Sequence, residues 1–149
     1  MVGTARRLFV VAPLLALMLV AGGCSSDDGG DTVDVSLQEF AVSANPSSVG
    51  SGEVTFEVTN DGPEDTHEFV VIRTDLTPDA LPTVEDGSVD EEGEGIEAVD
   101  EIEDIAVGDT QTLTVDLDAG SYVLICNIYD ADEQEAHYQE GMRTGFNVE

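Results

Sequence analysis

His67, Cys126, His137 and Met142 are the residues with which this chain can do chemistry. They offer two imidazoles, one thiolate and one thioether. Two imidazoles and a thiolate, with a weak thioether on the axis, are the donors of a mononuclear copper site that passes single electrons. Each type is scarce, since the sequence holds 2 Cys, 2 His and 3 Met. Met1 and Met18 fall in an N-terminal leader, so after processing both histidines and the remaining methionine belong to one constellation. Singly, each residue has a plainer reading: a core histidine on a strand, or a cysteine as apolar filling. Their order and spacing set them apart. Zinc also accepts Cys and His, but a thioether ligand is unusual for it.

Rigid elements must hold such donors, and the sequence supplies short period-two runs separated by turn residues. That pattern predicts an all-β sandwich. Val33–Leu37 alternates, Phe40–Val42 follows, and Asn45-Pro46-Ser47-Ser48 makes a turn. Val54, Phe56 and Val58 alternate with polar residues until Asn60-Asp61-Gly62-Pro63 breaks the strand. His67–Ile72 is apolar on both faces, as a central strand is. Leu113, Val115 and Leu117 alternate, Asp118-Ala119-Gly120 turns the chain, Tyr122–Cys126 is a further strand, and Gly145–Val148 closes the fold. About seven strands result. Residues two apart share a strand face, so Cys126 points inward with Leu124 and Tyr122, and His67 with Phe69 and Val71. His137 and Met142 follow Cys126 in a loop, which therefore supplies three of the four donors.

Residues 74–108 break the pattern and predict an acidic, partly helical insertion. Thr77–Pro82 reads as a capped helical turn. Ile96, Val99, Ile102 and Ile105 recur about every three residues, as on one short helix lying on the sandwich. Residues 85–104 hold 11 acids and no base. Their spacing does not fit a calcium-binding EF-hand loop, and such runs are usually solvated faces.

The ends set the compartment. Arg6 and Arg7 precede the apolar run Leu8–Ala21, and Ala21-Gly22-Gly23 are small residues before Cys24. Residues 1–23 therefore read as an export signal, too short for a membrane span. Cys24 after small residues resembles the lipidation site of bacterial lipoproteins, in which that cysteine becomes the acylated first residue. Ala5-Arg6-Arg7-Leu8-Phe9 also hints at a twin-arginine signal. Residues 24–31 read as a flexible tether, and 32–149 as one domain. In an oxidising compartment a Cys24–Cys126 disulfide is the alternative. The expected location is extracytoplasmic, lipid-anchored to the outer face of the cytoplasmic membrane.

There are 33 acids against 4 bases, and no lysine. Losing Arg6 and Arg7 with the leader takes the formal net charge from −29 to −31. A chain this acidic is repelled by nucleic acid and by anionic lipid surfaces, and membrane contact is expected through the lipid anchor alone. The acids fit general solvation, and they also fit docking to a basic redox partner.

Three segments together resemble the cupredoxins, the small blue copper proteins that include plastocyanin, azurin, halocyanin and sulfocyanin. Gly120-Ser121-Tyr122-Val123-Leu124-Ile125-Cys126 is similar to their final G-x-Y-x-x-x-C strand. His137-Tyr138-Gln139-Glu140-Gly141-Met142 is similar to their H-x4-M segment. Thr66-His67-Glu68-Phe69 stands where their first histidine ligand lies, after an Asn-x-Gly turn. The resemblance spans about Val33 to Val148. It implies a Greek-key sandwich holding one copper ion, with His67, Cys126 and His137 equatorial and Met142 axial. It also implies a monomeric carrier, not an enzyme, exchanging electrons with redox partner proteins. Tyr122 resembles the tyrosine corner of such sandwiches.

Two features depart from the family. Ten residues separate Cys126 from His137, against the usual two to four, as in the enlarged loop of copper nitrite reductases. That acidic segment can fold as a lid or docking edge, or bring a carboxylate to the metal. Glu68 stands where many relatives have Asn. His137, on an outward loop, is the expected exit for the electron. Copper buffering or delivery, and a metal-free interaction module, are the competing function classes. Hydrolase readings fail because Ser, His and Asp form no triad order.

Overall fold

The computed structural model describes residues 29–149. The expected export signal, the lipidation site Cys24 and most of the tether lie outside the described residues. The elements run β1 (Asp31–Gln38), β2 (Ala41–Asn45), β3 (Ser48–Val49), β4 (Gly52–Asn60), β5 (His67–Thr74), β6 (Ile96–Ile105), β7 (Thr110–Leu117), β8 (Gly120–Ile125), β9 (Tyr129–Asp130), β10 (Glu135–Ala136), α1 (His137–Glu140) and β11 (Arg143–Val148). One sheet has the order β2-β1-β4-β7 and the other β3-β11-β8-β5-β6, while β9 and β10 form a separate small hairpin.

Period-two alternation builds the two layers. Val33, Val35 and Leu37 of β1 and Val54, Phe56 and Val58 of β4 are buried against Phe69, Val71, Leu124 and Phe146 of the opposite sheet. Phe56 sits at the centre, with ring centroids 5.3 Å from Phe69 and 5.5 Å from Phe146. Pairs at such spacing add to the area they remove from water. The Tyr122 hydroxyl donates to the Asp118 carbonyl at 2.8 Å, as a tyrosine corner does.

The expected helix over residues 96–105 is not formed. This stretch is β6, an edge strand antiparallel to β5. Its three-residue apolar spacing comes from irregular pairing. His67 pairs with Ile105 but Phe69 with Ile102, so β6 spends one extra residue there, and Asp104 takes φ 54°. A bulge of this kind shifts which residues face inward, and Ile102 and Ile105 both turn toward the core although they are three apart. Ile and Val also favour strands over helices. Thr77–Pro82 is likewise a turn, with the Ala80 amide donating to the Thr77 carbonyl at 2.9 Å. Pro78 and Pro82 oppose helix continuation. Among the described residues, α1 is the one α-helix.

The insertion packs all the same. Leu81 and Val89 cover Val70, Ile72, Val123 and Ile125 on the outer face of β5 and β8, together with Tyr138. This second apolar layer is why β5 is hydrophobic on both sides. At the pole where β1, β4 and β8 end and β5 begins, the 39–40 turn, the 61–66 connection and the 126–142 segment meet.

Candidate metal centre

Strand register brings the donors to that pole. Val70 pairs with Ile125, which sets Cys126 beside Phe69 and on the same inward face as His67. His67 is the first residue of β5, Cys126 directly follows β8, His137 opens α1 and Met142 directly precedes β11. His67, Cys126 and Met142 are fully buried and His137 nearly so, at 2% exposed.

Three donor atoms converge. His67 Nδ1 lies 3.3 Å from His137 Nδ1, Cys126 Sγ lies 3.4 Å from His137 Nδ1, and Cys126 Sγ lies 3.9 Å from His67 Nδ1. The point equidistant from all three is about 2.1 Å from each, within the bond range of a transition metal held by nitrogen and sulfur. Met142 is tied to the same group through its backbone. Its carbonyl accepts the Cys126 amide at 3.1 Å and its amide donates to the His137 carbonyl at 3.0 Å. Between them, Gly141 has φ 128°, and a Cβ there would stand 3.1 Å from the Phe40 carbonyl oxygen. Glycine meets both demands at no steric cost.

The surroundings suit a soft, desolvated site. The Glu68 amide donates to Cys126 Sγ at 3.3 Å. Burial pushes the Cys126 thiol up to about 11 despite the amides of Glu68 and Ile128. A metal must therefore displace the thiol proton at neutral pH. Burial, then His137, lowers the His67 pKa, while Glu39 and Asp65 oppose the shift. The neutral imidazole is the form that ligates.

The long loop after Cys126 folds into the β9–β10 hairpin, Tyr129 pairing with Ala136 and Asp130 with Glu135. Its Asp130 carboxylate accepts the amides of Asp132 and Glu133, at 2.7 and 3.0 Å. Among the described residues, the donors that converge at this pole are those of His67, Cys126 and His137, without a loop carboxylate. The expectation that His137 stands near the surface is corrected. The hairpin leads His137 inward, with its amide on the Ile128 carbonyl at 2.9 Å and the half-buried Phe40 ring edge-on to it at 5.3 Å.

Several supporting residues carry no signal that spacing alone reveals. Asn60, fully buried, donates to the carbonyls of Asp65 and Ile105, both at 2.8 Å, and accepts the Gly62 amide, which fixes the approach to His67. Asn127 accepts the Val89 amide at 2.6 Å and donates to Glu91 at 2.8 Å, fastening the insertion next to Cys126. Tyr138 accepts the Leu81 amide at 3.1 Å and donates to the Pro78 carbonyl at 2.8 Å. Asn127 and Tyr138 each stand next to a ligand in sequence, but their partners lie 36 to 60 residues away.

No protein-family model matches the sequence, and neither does any curated protein. Solved structures do match the fold. The reduced auracyanin of Roseiflexus castenholzii superposes with TM-score 0.58 at 19% identity, over 81% of this chain and 99% of that one. Auracyanin A of Chloroflexus aurantiacus, a blue copper protein, gives TM-score 0.54 at 16% identity, over 81% of this chain and all of that one. An azurin from Methylomonas sp. strain J gives 0.51 at 14% identity, over 81% and 99%. By its architecture, the chain is a cupredoxin-like β-sandwich.

Proposed function

We infer that the chain would hold one copper ion on His67, Cys126 and His137, with Met142 as the fourth donor, and carry single electrons between proteins. The observation that carries this reading is the donor triangle, whose common centre lies at bonding distance from two imidazole nitrogens and a thiolate. Copper, when bound, supplies one-electron cycling between its two oxidation states. The chain's own part is to hold the donors still. Two strands, the hairpin and the hydrogen bond from the Cys126 amide to the Met142 carbonyl limit ligand movement, and so limit the reorganisation that each transfer would cost. Burial of all four side chains excludes water and favours a carrier over a copper-delivery surface, which needs ready exchange. The role is that of a carrier and not an enzyme.

Residues 1–23 as export signal, lipidation at Cys24 and a tether leading into β1 place this carrier on the outer face of the cytoplasmic membrane. Its acidic surface suits a basic redox partner, and a transfer rate indifferent to ionic strength would remove that part of the reading. Copper(II) added to the purified protein should give an intense visible thiolate-to-copper band and a narrow-hyperfine electron spin resonance signal. A colourless complex, or no uptake, overturns the electron-transfer role.

A further inference from the structure

Glu39 stands in the turn between β1 and β2, far in sequence from the four donors, and reaches the side of His67 that faces away from them. Its Oε1 lies 3.6 Å from His67 Nε2 and accepts the amides of Glu64 at 3.1 Å and Asp65 at 2.6 Å. The Glu39 side chain is 11% exposed and that of His67 not at all. Among the described residues, neither Glu39 Oε2 nor His67 Nε2, both buried, has a hydrogen-bond partner. A buried imidazole nitrogen and a buried carboxylate oxygen each cost stability when left unpaired, and each is what the other lacks.

The two ring nitrogens of His67 thus have different neighbours. Nδ1 faces Cys126 Sγ and His137 Nδ1, at 3.9 and 3.3 Å. Nε2 faces the carboxylate. In a neutral imidazole one nitrogen carries the proton and the other the lone pair, and the partner of one fixes the role of the other. The two backbone amides that point at Glu39 Oε1, from Glu64 and Asp65, favour the carboxylate over the acid.

We propose that Glu39 is the positioning and potential-setting residue of the metal centre: its carboxylate accepts the Nε2–H of His67, which keeps the proton on that nitrogen and so presents the Nδ1 lone pair to copper. The assignment rests on the copper reading above. Two consequences follow from a carboxylate behind a ligating imidazole. It orients the ring and raises its basicity. It also favours the more highly charged oxidised ion, so it lowers the reduction potential.

The test uses Glu39→Gln, whose amide oxygen can still accept the Glu64 and Asp65 amides while the charge is lost. Copper(II) affinity should fall about tenfold and copper(I) affinity less, so the potential rises. Each tenfold change in the ratio of the two affinities is 59 mV for a one-electron couple. Nitrogen-15 NMR of metal-free and copper(I)-loaded wild-type protein should show His67 protonated at Nε2, with slow exchange of that proton. This second readout stands even where the variant folds poorly. A His67 protonated at Nδ1 in the metal-free protein, or a Glu39→Gln potential equal to the parent's, overturns the assignment. Failure of the wild type to form the thiolate–copper band defeats the copper reading itself, which is a different outcome.

Discussion

Consecutive residues of β5 begin two clusters of metal-capable side chains, one on each face of the sheet. His67 points inward to Cys126 and His137, and all three are buried. Glu68 points outward to Glu101 and Glu103 of β6, and a carboxylate oxygen from each lies within 4.8 Å of the others. Both clusters bring three donor atoms close together, yet their physics is opposed. The inward donors can all be neutral in the metal-free protein, so packing them together costs little, and the sandwich keeps water out. The outward donors carry like charges that repel. Burial, then Glu91 and Glu103, raises the Glu101 pKa, which is the mark of that repulsion. Convergence of donors marks a site only where the fold has already met the cost of holding them together.

The sharpest way to break this contrast is to remove one cluster at a time. Cys126→Ser should abolish the visible thiolate-to-copper band outright, because no other sulfur ligand can replace a thiolate in that role. Glu101→Gln with Glu103→Gln should leave both the band and the copper affinity as in the parent. Copper titration followed by absorbance separates the two. Equal losses in the two variants would mean that the acidic cluster contributes to copper capture after all.

The inward cluster was legible in the sequence because its residue types are rare and because the faces of a strand alternate on either side of His67 and Cys126. Leu124 and Tyr122 share a face with Cys126, and Phe69 and Val71 with His67, as alternation requires. The outer strand β6 was not legible as a strand. Its extra residues opposite β5 turn a period of two into an apparent period of three, and that irregularity exists only once the two strands pair. The burial of His137 was hidden for a similar reason. A ten-residue acidic loop reads as an outward excursion, but the Tyr129–Ala136 pairing and the Asp130 cap fold it back on itself. Glu39 carries no local signature either, since its role depends on an imidazole 28 positions later in the chain.

A smaller effect probes what holds the inward face rigid from behind. The Tyr138 hydroxyl is the joint between α1 and the insertion, bonded to Leu81 and Pro78. Tyr138→Phe removes both bonds and strands the buried Leu81 amide, at a cost of about 1–3 kcal/mol. The urea midpoint should fall accordingly, with the slope unchanged. The copper band should keep its position, because His137 is also held by its own amide on Ile128. A shifted band at unchanged stability would show that the insertion positions the ligand instead of merely covering β5 and β8.

The outward cluster gives the smallest and most pH-specific effect. Burial, followed by Glu101, Glu91 and Glu103, pushes the Glu68 carboxyl up to about 7, with the Asn127 amide opposing. Its folded pKa thus lies above the value of about 4.3 expected in the unfolded chain. Between those two values the folded state binds more protons than the unfolded one, so this group's contribution to stability declines as pH rises through the window. Above pH 7 the ionised carboxylate is a net penalty, although partial solvation reduces it to about 1 kcal/mol. Metal-free Glu68→Gln should therefore melt a few degrees above the parent at pH 8, with the gap closing as the pH falls toward 4.5. Equal melting temperatures at pH 8 would mean that water screens the outward carboxylates fully. The contrast between the two faces of β5 would then rest on donor chemistry alone, with no contribution from the energetic cost of crowding the charges.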